Sequence, residues 1–253
     1  MQRPSTATAI VLFCFGCVAL LYCSGLYAQE KCGVEVKILL LPTEIEAAKV
    51  ALNVKKETAG RVYFFDTDAL DLLSQGAIVR LRQGHRSDLT VKLRPPEGKR
   101  IPISSEERDN FKCEVDLTGG NANFSYSVGT IHGLNQLPES GSDVSHALSS
   151  GQKELLNDAQ ISIDWTRVKR IAEIRASTWQ TQAQPQLGKL TLELWEWPGG
   201  KVLELSTKVS QNAGTRTYTE LQELLWTNHL SMSPTQLPKT SIALRAIVPG
   251  AGH

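Results

Sequence analysis

Two short stretches of this sequence place like charges two residues apart in segments that have the character of β-strands. "GAIVRLRQG", residues 76–84, contains Arg80 and Arg82, and "TVKLR", residues 90–94, contains Lys92 and Arg94. In a strand, residues i and i+2 point to the same face about 6.5 Å apart. At that separation two like charges repel by roughly 2.5 kcal/mol at an effective dielectric of about 20. The fold must therefore give both pairs either bulk water or an anionic neighbour.

Alternation of apolar and polar residues predicts seven or eight short strands. The segments are "CGVEVKILLLP", "RVYFFDT", "AIVRLRQG", "LTVKLRPP", "KCEVDLTGG", "RVKRIAEIRASTW", "KLTLELWEW" and "KVLELSTKV". The last two form a hairpin around Pro198, Gly199 and Gly200, which are residue types that favour a turn. Between residues 119 and 158 the pattern weakens into Gly, Ser and Asn, which indicates a long connection.

The sequence predicts few helices. Thr43 and Glu46 have capping-box spacing and indicate a helix over residues 44–53, and "DALDLLSQG" indicates a helical turn. Further helices are predicted over residues 143–156 and 218–230, before the tail "KTSIALRAI". Because little helix separates most strands, we predict an α+β fold, mainly antiparallel β, with one sheet or barrel.

The first 28 residues have the pattern of a secretory signal peptide. Arg3 precedes an apolar run over residues 9–22, and small residues follow up to Ala28, which is the order of the basic, apolar and cleavage regions. The run is too short to be a good membrane span, so no stable span is expected after cleavage. We predict cleavage after Ala28, export to the periplasm or the medium, and a single domain over residues 29–253.

Cleavage would leave two of the five cysteines in the mature chain. Cys32 and Cys113 remain, and in an oxidising compartment an even pair is more often bridged than free. A lipoprotein attached through Cys17 or Cys23 is the alternative, but bulky neighbours of these residues fit a lipid-attachment signal poorly.

The charge balance narrows the possible partners. Without Arg3 the 27 basic residues become 26, equal to the 26 acidic ones, so no overall basic bias indicates a nucleic-acid partner. The charges are instead sorted by strand, in phase with one face. They are Glu35, Lys37, Arg80, Arg82, Lys92, Arg94, Glu114, Asp116, Glu193, Glu204 and Lys208. Two interpretations stay open: a sheet with one solvated face, or a site for a ligand that is anionic at one end and metal-bound at the other.

Several motifs resemble the CYTH family, the triphosphate tunnel metalloenzymes. They are "VEVK", "YFFDTDALDLLSQGAIVRLR", "LTVKLR", "CEVDL", the strand ending in Arg175, and "LELWEWPGGKVLELSTK", in order over residues 33–209. The resemblance implies an eight-stranded antiparallel tunnel, lined by basic residues that grip a triphosphate and by acidic residues that hold a divalent metal. Members of the family include inorganic triphosphatases, thiamine triphosphatases and some adenylate cyclases.

The resemblance also implies roles for individual residues. The candidate phosphate ligands are Lys37, Arg80, Arg82, Lys92, Arg94 and Arg175. The candidate ligands for Mg²⁺ or Mn²⁺ are Glu35, Glu114, Asp116, Glu193 and Glu204. Glu114 and Lys92 are the candidate catalytic residues, and Lys208 is either a ligand or a solvated strand end. Because the family barrel brings strand starts together, a disulfide between Cys32 and Cys113 is expected.

The sequence departs from the family pattern in its acidic residues. The family has Glu-x-Glu-x-Lys on its first strand, and Gly33 stands at the first of these positions. Trp195 follows Glu193 by two residues, and Ser206 follows Glu204 by two, where a second acid is expected in the more active members. The basic half of the site is nearly intact and the acidic half is thinned, so metal chemistry is less secure than anion binding.

Three functions remain open at this point. The first is an exported, metal-dependent phosphohydrolase that acts on tripolyphosphate or on a nucleoside or thiamine triphosphate. The second is a non-catalytic protein of the same fold that binds polyphosphate or another polyanion, which Gly33 favours. The third is a structural envelope protein with a solvated, charged sheet, which would bind no triphosphate. The sequence does not define the oligomeric state.

Overall fold

A closed β-barrel of nine strands forms the centre of the protein, as a computed structural model shows. The structure describes residues 32–54, 56–84, 87–96, 99–103, 109–131, 138, 140–181 and 185–248. The expected signal peptide, residues 1–28, lies outside the described residues.

The nine strands follow one another around the barrel with a single parallel pair. They are β1 (Gly33–Leu40), β2 (Lys56–Asp66), β3 (Ala77–Gln83), β4 (Asp88–Leu93), β5 (Phe111–Thr118), β6 (Asn121–Ile131), β7 (Lys169–Thr181), β8 (Leu190–Trp197) and β9 (Gly200–Val209). Their order is β1-β5-β6-β4-β3-β2-β7-β8-β9, closing on β1. β1 and β5 are parallel, and all other neighbours are antiparallel.

The predicted closed barrel is confirmed, with nine strands in place of eight. The additional strand is β6, in the segment expected to be a connection. Its inward positions carry small polar residues, Asn123, Ser127 and Gly129, and its outward residues Tyr126 and Val128 are buried. The Asn, Ser and Gly content resembles that of a loop, and this composition concealed the alternation.

Six α-helices are present among the described residues. They are α1 (Ile45–Ala51), α2 (Asp71–Ser74), α3 (Gly141–Ala147), α4 (Ser150–Asp158), α5 (Gly214–Thr227) and α6 (Lys239–Ile247). The single helix expected over residues 143–156 is two helices, because Ser140 and Ser149 each form a capping box and Leu148 between them is extended. The capping box expected at Thr43 does not form. No helix of the described part is both long and apolar enough to cross a membrane.

Two apolar layers cover the outside of the barrel. On one side, α1 and α5 pack on β1, β8 and β9, with Leu221 and Leu225 of α5 fully buried. On the other side, α3 and α4 pack on β2, β3, β4 and β6 through residues such as Val144 and Leu155. Because both layers lie outside, the interior of the barrel is available to polar side chains.

One end of the barrel is filled by apolar side chains and α6. Ala243 and Leu244 of α6 pack with inward residues of the strands, including Phe64, Ile174 and Trp195. The segment that leads to α6 is hydrogen-bonded to the end of β1, where Ser233 N donates to Leu39 O at 2.8 Å. The tail "KTSIALRAI" is therefore the helix that covers one end of the barrel.

Cys32 and Cys113 are joined by a disulfide, with their Cα atoms 4.7 Å apart. The parallel pairing of β1 with β5 sets Gly33 opposite Glu114, so the two preceding residues are neighbours. The bridge spans 81 residues of sequence. A loop of this length corresponds to about 4–5 kcal/mol of stabilisation in the chain-entropy description.

Candidate functional site

The interior of the barrel holds a polar cavity of about 830 Å³. Because side chains alternate across a strand, the wall is built from every second residue of each strand, for example Arg80 and Arg82 on β3 and Glu114 and Asp116 on β5. Eight basic and six acidic side chains line the cavity. This number of charges in one enclosed wall excludes an ordinary core.

The cavity opens at the end of the barrel opposite α6. The lining residues Arg82, Lys112, Gln180 and Lys208 are exposed to solvent. Pro238, Lys239 and Thr240, which join and begin α6, line the cavity at its other end. The described residues thus form a cavity that is covered by α6 at one end and reaches solvent at the other.

Ten of the eleven residues expected to bind phosphate or metal lie in the cavity wall. They are Lys37, Arg80, Arg82, Lys92, Arg94, Glu35, Glu114, Asp116, Glu193 and Glu204. Lys208, for which two interpretations were open, is also part of the wall. The i, i+2 pairs of like charge thus all point into the cavity, and the two basic pairs lie on β3 and at the end of the neighbouring strand β4.

The placement of Arg175 in the tunnel is wrong. Its neighbours Ile174 and Ala176 pack in the apolar interior near α6, and Arg175 itself is exposed on the outer face of β7. The pairing partners Arg61 and Glu196 lie beside it on the neighbouring strands. At this end of the barrel the interior is apolar, so the charged residue faces outward, opposite to the arrangement on β3 and β4.

Asp116 is the centre of a dense ion-pair cluster. Its carboxylate accepts from Lys37 Nζ at 2.8 Å and from Lys92 Nζ at 3.0 Å, and Arg94 donates through Nε and Nη2 at 3.3 and 3.2 Å. Burial opposes the charged carboxylate, but these three cations outweigh it and hold the pKa of Asp116 far below its usual range. Asp116 therefore stays ionised and fixes the three cations in place.

The lysines of this cluster differ in their proton affinity. Burial opposes the charge on Lys37, yet the carboxylates of Asp116 and Glu35 overcome it and raise the Lys37 pKa; Glu35 Oε2 lies 2.9 Å from Nζ. Burial, together with the positive Lys37 and Arg94, lowers the pKa of Lys92 to about 7. A bound anion would therefore favour the protonated, positively charged form of Lys92 near neutral pH.

Glu35, Glu114 and Asp116 form an acidic triad whose ligand oxygens lie within 4.8 Å of one another. Carboxylate oxygens in such a group suit a hard divalent cation. Glu114 is held by Lys208 at the open end, and that lysine is largely exposed, at 63% of its side chain. Since an exposed lysine can swing away at small cost, Glu114 is the member of the triad most available to a divalent metal, while Glu35 and Asp116 are also paired with buried cations.

Glu193 and Glu204 lie opposite each other on β8 and β9 and bind the ammonium of Lys239. Lys239 Nζ pairs with Glu193, and it lies 2.6 Å from Glu204 Oε1. Trp195 Nε1 donates to Glu193 Oε1 at 2.7 Å. Sequence analysis missed Lys239 because it begins α6, where no strand alternation connects it to the wall.

Arg80 and Arg82 differ from the three cations that Asp116 holds. Within the described ranges, neither guanidinium has a hydrogen bond or ion pair, and the Nε of Arg80 is buried without an acceptor. Asp88 is opposite Arg82 on β4, but its carboxylate accepts from the Thr90 hydroxyl at 2.6 Å and forms no ion pair with either arginine. Burial and the neighbouring Arg82 lower the pKa of Arg80 and outweigh the opposing charges of Asp88 and Glu193, so an added anion would stabilise this guanidinium.

A closed barrel with a charged interior around a blind cavity matches the tunnel barrel that the sequence motifs predict. The chain superposes on a protein from Hippeastrum with a TM-score of 0.59 and 16% identity, over 84% of this chain and 94% of the other. That protein was provisionally described as an adenylyl cyclase and reported to have a dominant triphosphatase activity. It also superposes on a protein from Bacillus halodurans, provisionally described as an adenylate cyclase, with a TM-score of 0.57, 18% identity, and coverage of 83% of this chain and 97% of the other.

No protein-family profile matches the chain, and no curated protein matches it in sequence. At 16% and 18% identity, the two solved structures share the fold with this chain. The tunnel architecture that the sequence motifs predicted is thereby confirmed.

Proposed function

We propose that this protein binds the triphosphate group of a small molecule, or a stretch of polyphosphate, inside the barrel and hydrolyses it with a divalent metal ion. Support comes above all from Arg80 and Arg82, two inward guanidiniums without a carboxylate partner in the described part of the chain. A cation in a half-buried wall is costly without a counter-charge. Phosphate oxygens would supply that charge and accept forked hydrogen bonds.

The substrate would enter from the open end and lie along the cavity. Arg82 is exposed at that end and Arg80 lies deeper on the same strand, so a chain of phosphates could contact both in succession. Lys92 and Arg94, from the neighbouring β4 and its end, and Lys37, from β1, would contact it as well. Because α6 covers the other end, any organic group attached to the triphosphate would remain towards the opening.

The acidic triad, Glu35, Glu114 and Asp116, would hold Mg²⁺ or Mn²⁺. When bound, the ion supplies positive charge to phosphate oxygens as the terminal phosphoryl group is transferred to water. Lys92 and Arg94, fixed by Asp116, would hold the reacting phosphoryl group against the triad. Glu114, the triad member held by the exposed Lys208, is the proposed acceptor of the proton from the attacking water.

A non-catalytic polyanion-binding protein of the same fold is the second candidate. Gly33 shares the inward phase of Glu35 and Lys37 but offers no acid. Asp116 is engaged by three cations, which weakens it as a metal ligand. In this case the same arginines bind the anion and no phosphate is released.

Phosphate release from tripolyphosphate, with and without Mn²⁺, tests the first candidate. The proposal predicts release that requires the metal and that Glu114→Ala abolishes, while much of the metal-free anion binding remains. Binding without release by the wild-type protein would favour the second candidate. Arg175→Ala, on the outer face, is the control and should behave like the wild type.

We also propose that the protein is exported, on the basis of the signal-peptide pattern in residues 1–28. The disulfide between Cys32 and Cys113 supports this proposal, because such bridges persist in oxidising compartments. N-terminal sequencing of material recovered outside the cytoplasm should give a start near Gln29. A start at Met1 in that material would show that residues 1–28 are not a cleaved signal peptide.

A further inference from the structure

The carboxylates of Glu193 and Glu204 are held by a cation that belongs to the chain. The two side chains are cross-strand partners, and like charges in that position repel. Lys239 Nζ contacts both of them, with only 13% of its side chain exposed. The ammonium also lies 4.8 Å from the centre of the Trp195 ring, an arrangement that favours a cation over a neutral group.

These carboxylates therefore do not fit a divalent metal in the way that the acidic triad does. In the triad, buried Lys37 holds Glu35 and Asp116, but Glu114 is paired with the exposed Lys208 and can be released from it. Neither Glu193 nor Glu204 has such a release, because Lys239 starts α6, whose residues Ala243 and Leu244 are fixed in the core. Moving Lys239 away would leave two carboxylates facing each other. It would also require displacement of the start of the helix.

We propose that Lys239 is a built-in cation that replaces a metal ion at Glu193 and Glu204, so that the tunnel binds metal only at the triad of Glu35, Glu114 and Asp116. The ammonium supplies one fixed positive charge where a divalent ion would supply two. The proposal rests on the proposed function only in that the tunnel takes a divalent cation, and it is tested without any triphosphate.

A simpler structural role for Lys239 makes a different prediction. If the lysine only anchors α6 to the wall, its removal lowers stability but creates no metal site. If it occupies the position of a metal, its removal opens two carboxylates that can take up Mn²⁺. The number of bound metal ions, unlike stability, separates the two roles.

The test is the number of Mn²⁺ ions bound per chain, measured by calorimetry and by electron paramagnetic resonance of free Mn²⁺. We expect one ion in the wild type and one additional ion in Lys239→Met. Adding Glu204→Gln to Lys239→Met should remove the additional ion, which would locate it. Lys201→Met is the matched control, because Lys201 lies on β9, the strand of Glu204, but is exposed and outside the cavity wall. This variant loses the same charge as Lys239→Met and should bind as many Mn²⁺ ions as the wild type does.

A second comparison does not depend on the folding of Lys239→Met. In the otherwise wild-type protein, Glu204→Gln should leave the number of bound Mn²⁺ ions unchanged, and Glu114→Gln should reduce it. Loss of a bound ion in Glu204→Gln would overturn the proposal, as would a folded Lys239→Met that binds no more Mn²⁺ than the wild type. A wild type that binds none and a Lys239→Met that binds one would uphold the role of Lys239 and contradict metal binding at the triad.

Discussion

Five of the eight basic residues of the tunnel fall into two groups that differ in their ion pairs. Lys37, Lys92 and Arg94 share the carboxylate of Asp116, so each of them has an ion-pair partner inside the protein. Arg80 and Arg82, on β3, have no ion pair among the described residues, and part of Arg80 is buried without an acceptor. The first group, which we call the Asp116 cluster, is built for stability, and the β3 arginines depend on an external anion.

This difference in ion pairing gives different roles to basic residues that have the same pattern in the sequence. All five cations occur as strand residues with inward phase, and pattern alone gives them one role. A carboxylate that binds three cations lowers the cost of their burial. An anionic ligand gains the most binding free energy at a cation without an ion-pair partner, because its binding removes the cost of burying that unpaired charge.

The largest expected effect is the loss of stability in Asp116→Ala. This change removes the carboxylate that three cations share, of which Lys37 alone keeps its ion pair with Glu35, and breaking a buried ion pair by removing one partner costs about 3–5 kcal/mol. Urea unfolding measures the change in the free energy of unfolding. Arg80→Met is the contrasting variant: it removes a cation that has no partner, so stability without anion should stay the same or rise. Equal destabilisation by both variants would break the distinction between the two groups.

The next effect concerns anion affinity at the β3 arginines. Arg82→Ala should weaken tripolyphosphate binding by about 1.5–3 kcal/mol, the scale of a hydrogen bond to a charged group. Isothermal titration calorimetry in the presence of a chelator measures the affinity without metal. Arg175→Ala removes an arginine from the outer face and should bind as the wild type does. An unchanged affinity in Arg82→Ala would mean that the β3 arginines are merely solvated.

Much of the barrel could be predicted from the sequence because inward charges and outward apolar residues alternate clearly on most strands. "GAIVRLRQG" and "TVKLR" have this alternation, and their four charged residues do line the cavity. β6 was missed although Phe124, Tyr126 and Val128 alternate in it, because its inward residues are the small polar types found in loops.

Two other features could not be derived from strand alternation. On β7 the alternation separates Ile174 and Ala176 from Arg175 without telling which set faces the interior; the interior there is apolar, so Arg175 faces outward. Lys239 enters the site from a helix that follows the last strand by about thirty residues. Only the three-dimensional path of the chain brings it to Glu193 and Glu204.

A smaller effect is expected in the pH dependence of binding. Burial, with Lys37 and Arg94, lowers the Lys92 pKa to about 7, and a bound anion favours the protonated form. Above pH 7 binding must therefore add a proton to Lys92, and affinity should fall by at most tenfold per pH unit, about 1.4 kcal/mol. Calorimetry from pH 6 to pH 9 on the metal-free protein should show this fall relative to Lys92→Met. The titration of tripolyphosphate itself affects both proteins equally. Parallel plots of affinity against pH for the wild type and Lys92→Met would therefore contradict a lowered Lys92 pKa.

The smallest expected effect is a gain in metal affinity in Gly33→Glu. A Cβ at Gly33 would meet nothing within 4 Å, and the residue has the inward phase of Glu35, so a carboxylate can be added beside the triad without a clash. We expect Mn²⁺ affinity to rise by roughly tenfold or less, since affinity for such cations increases with ligand charge. Gly33→Gln matches the size without the charge, and an equal gain in that variant would show that charge is not the cause.

The most direct test of the central claim is a calorimetric titration of tripolyphosphate into the wild-type protein, first with chelator and then with Mn²⁺. Since the β3 arginines form no ion pair within the described part of the chain, the account predicts binding of one tripolyphosphate per chain even without metal. No binding heat and no rise in melting temperature under either condition would contradict it. The charged wall would then be a solvated surface, and both the hydrolase and the polyanion-binding functions would be wrong.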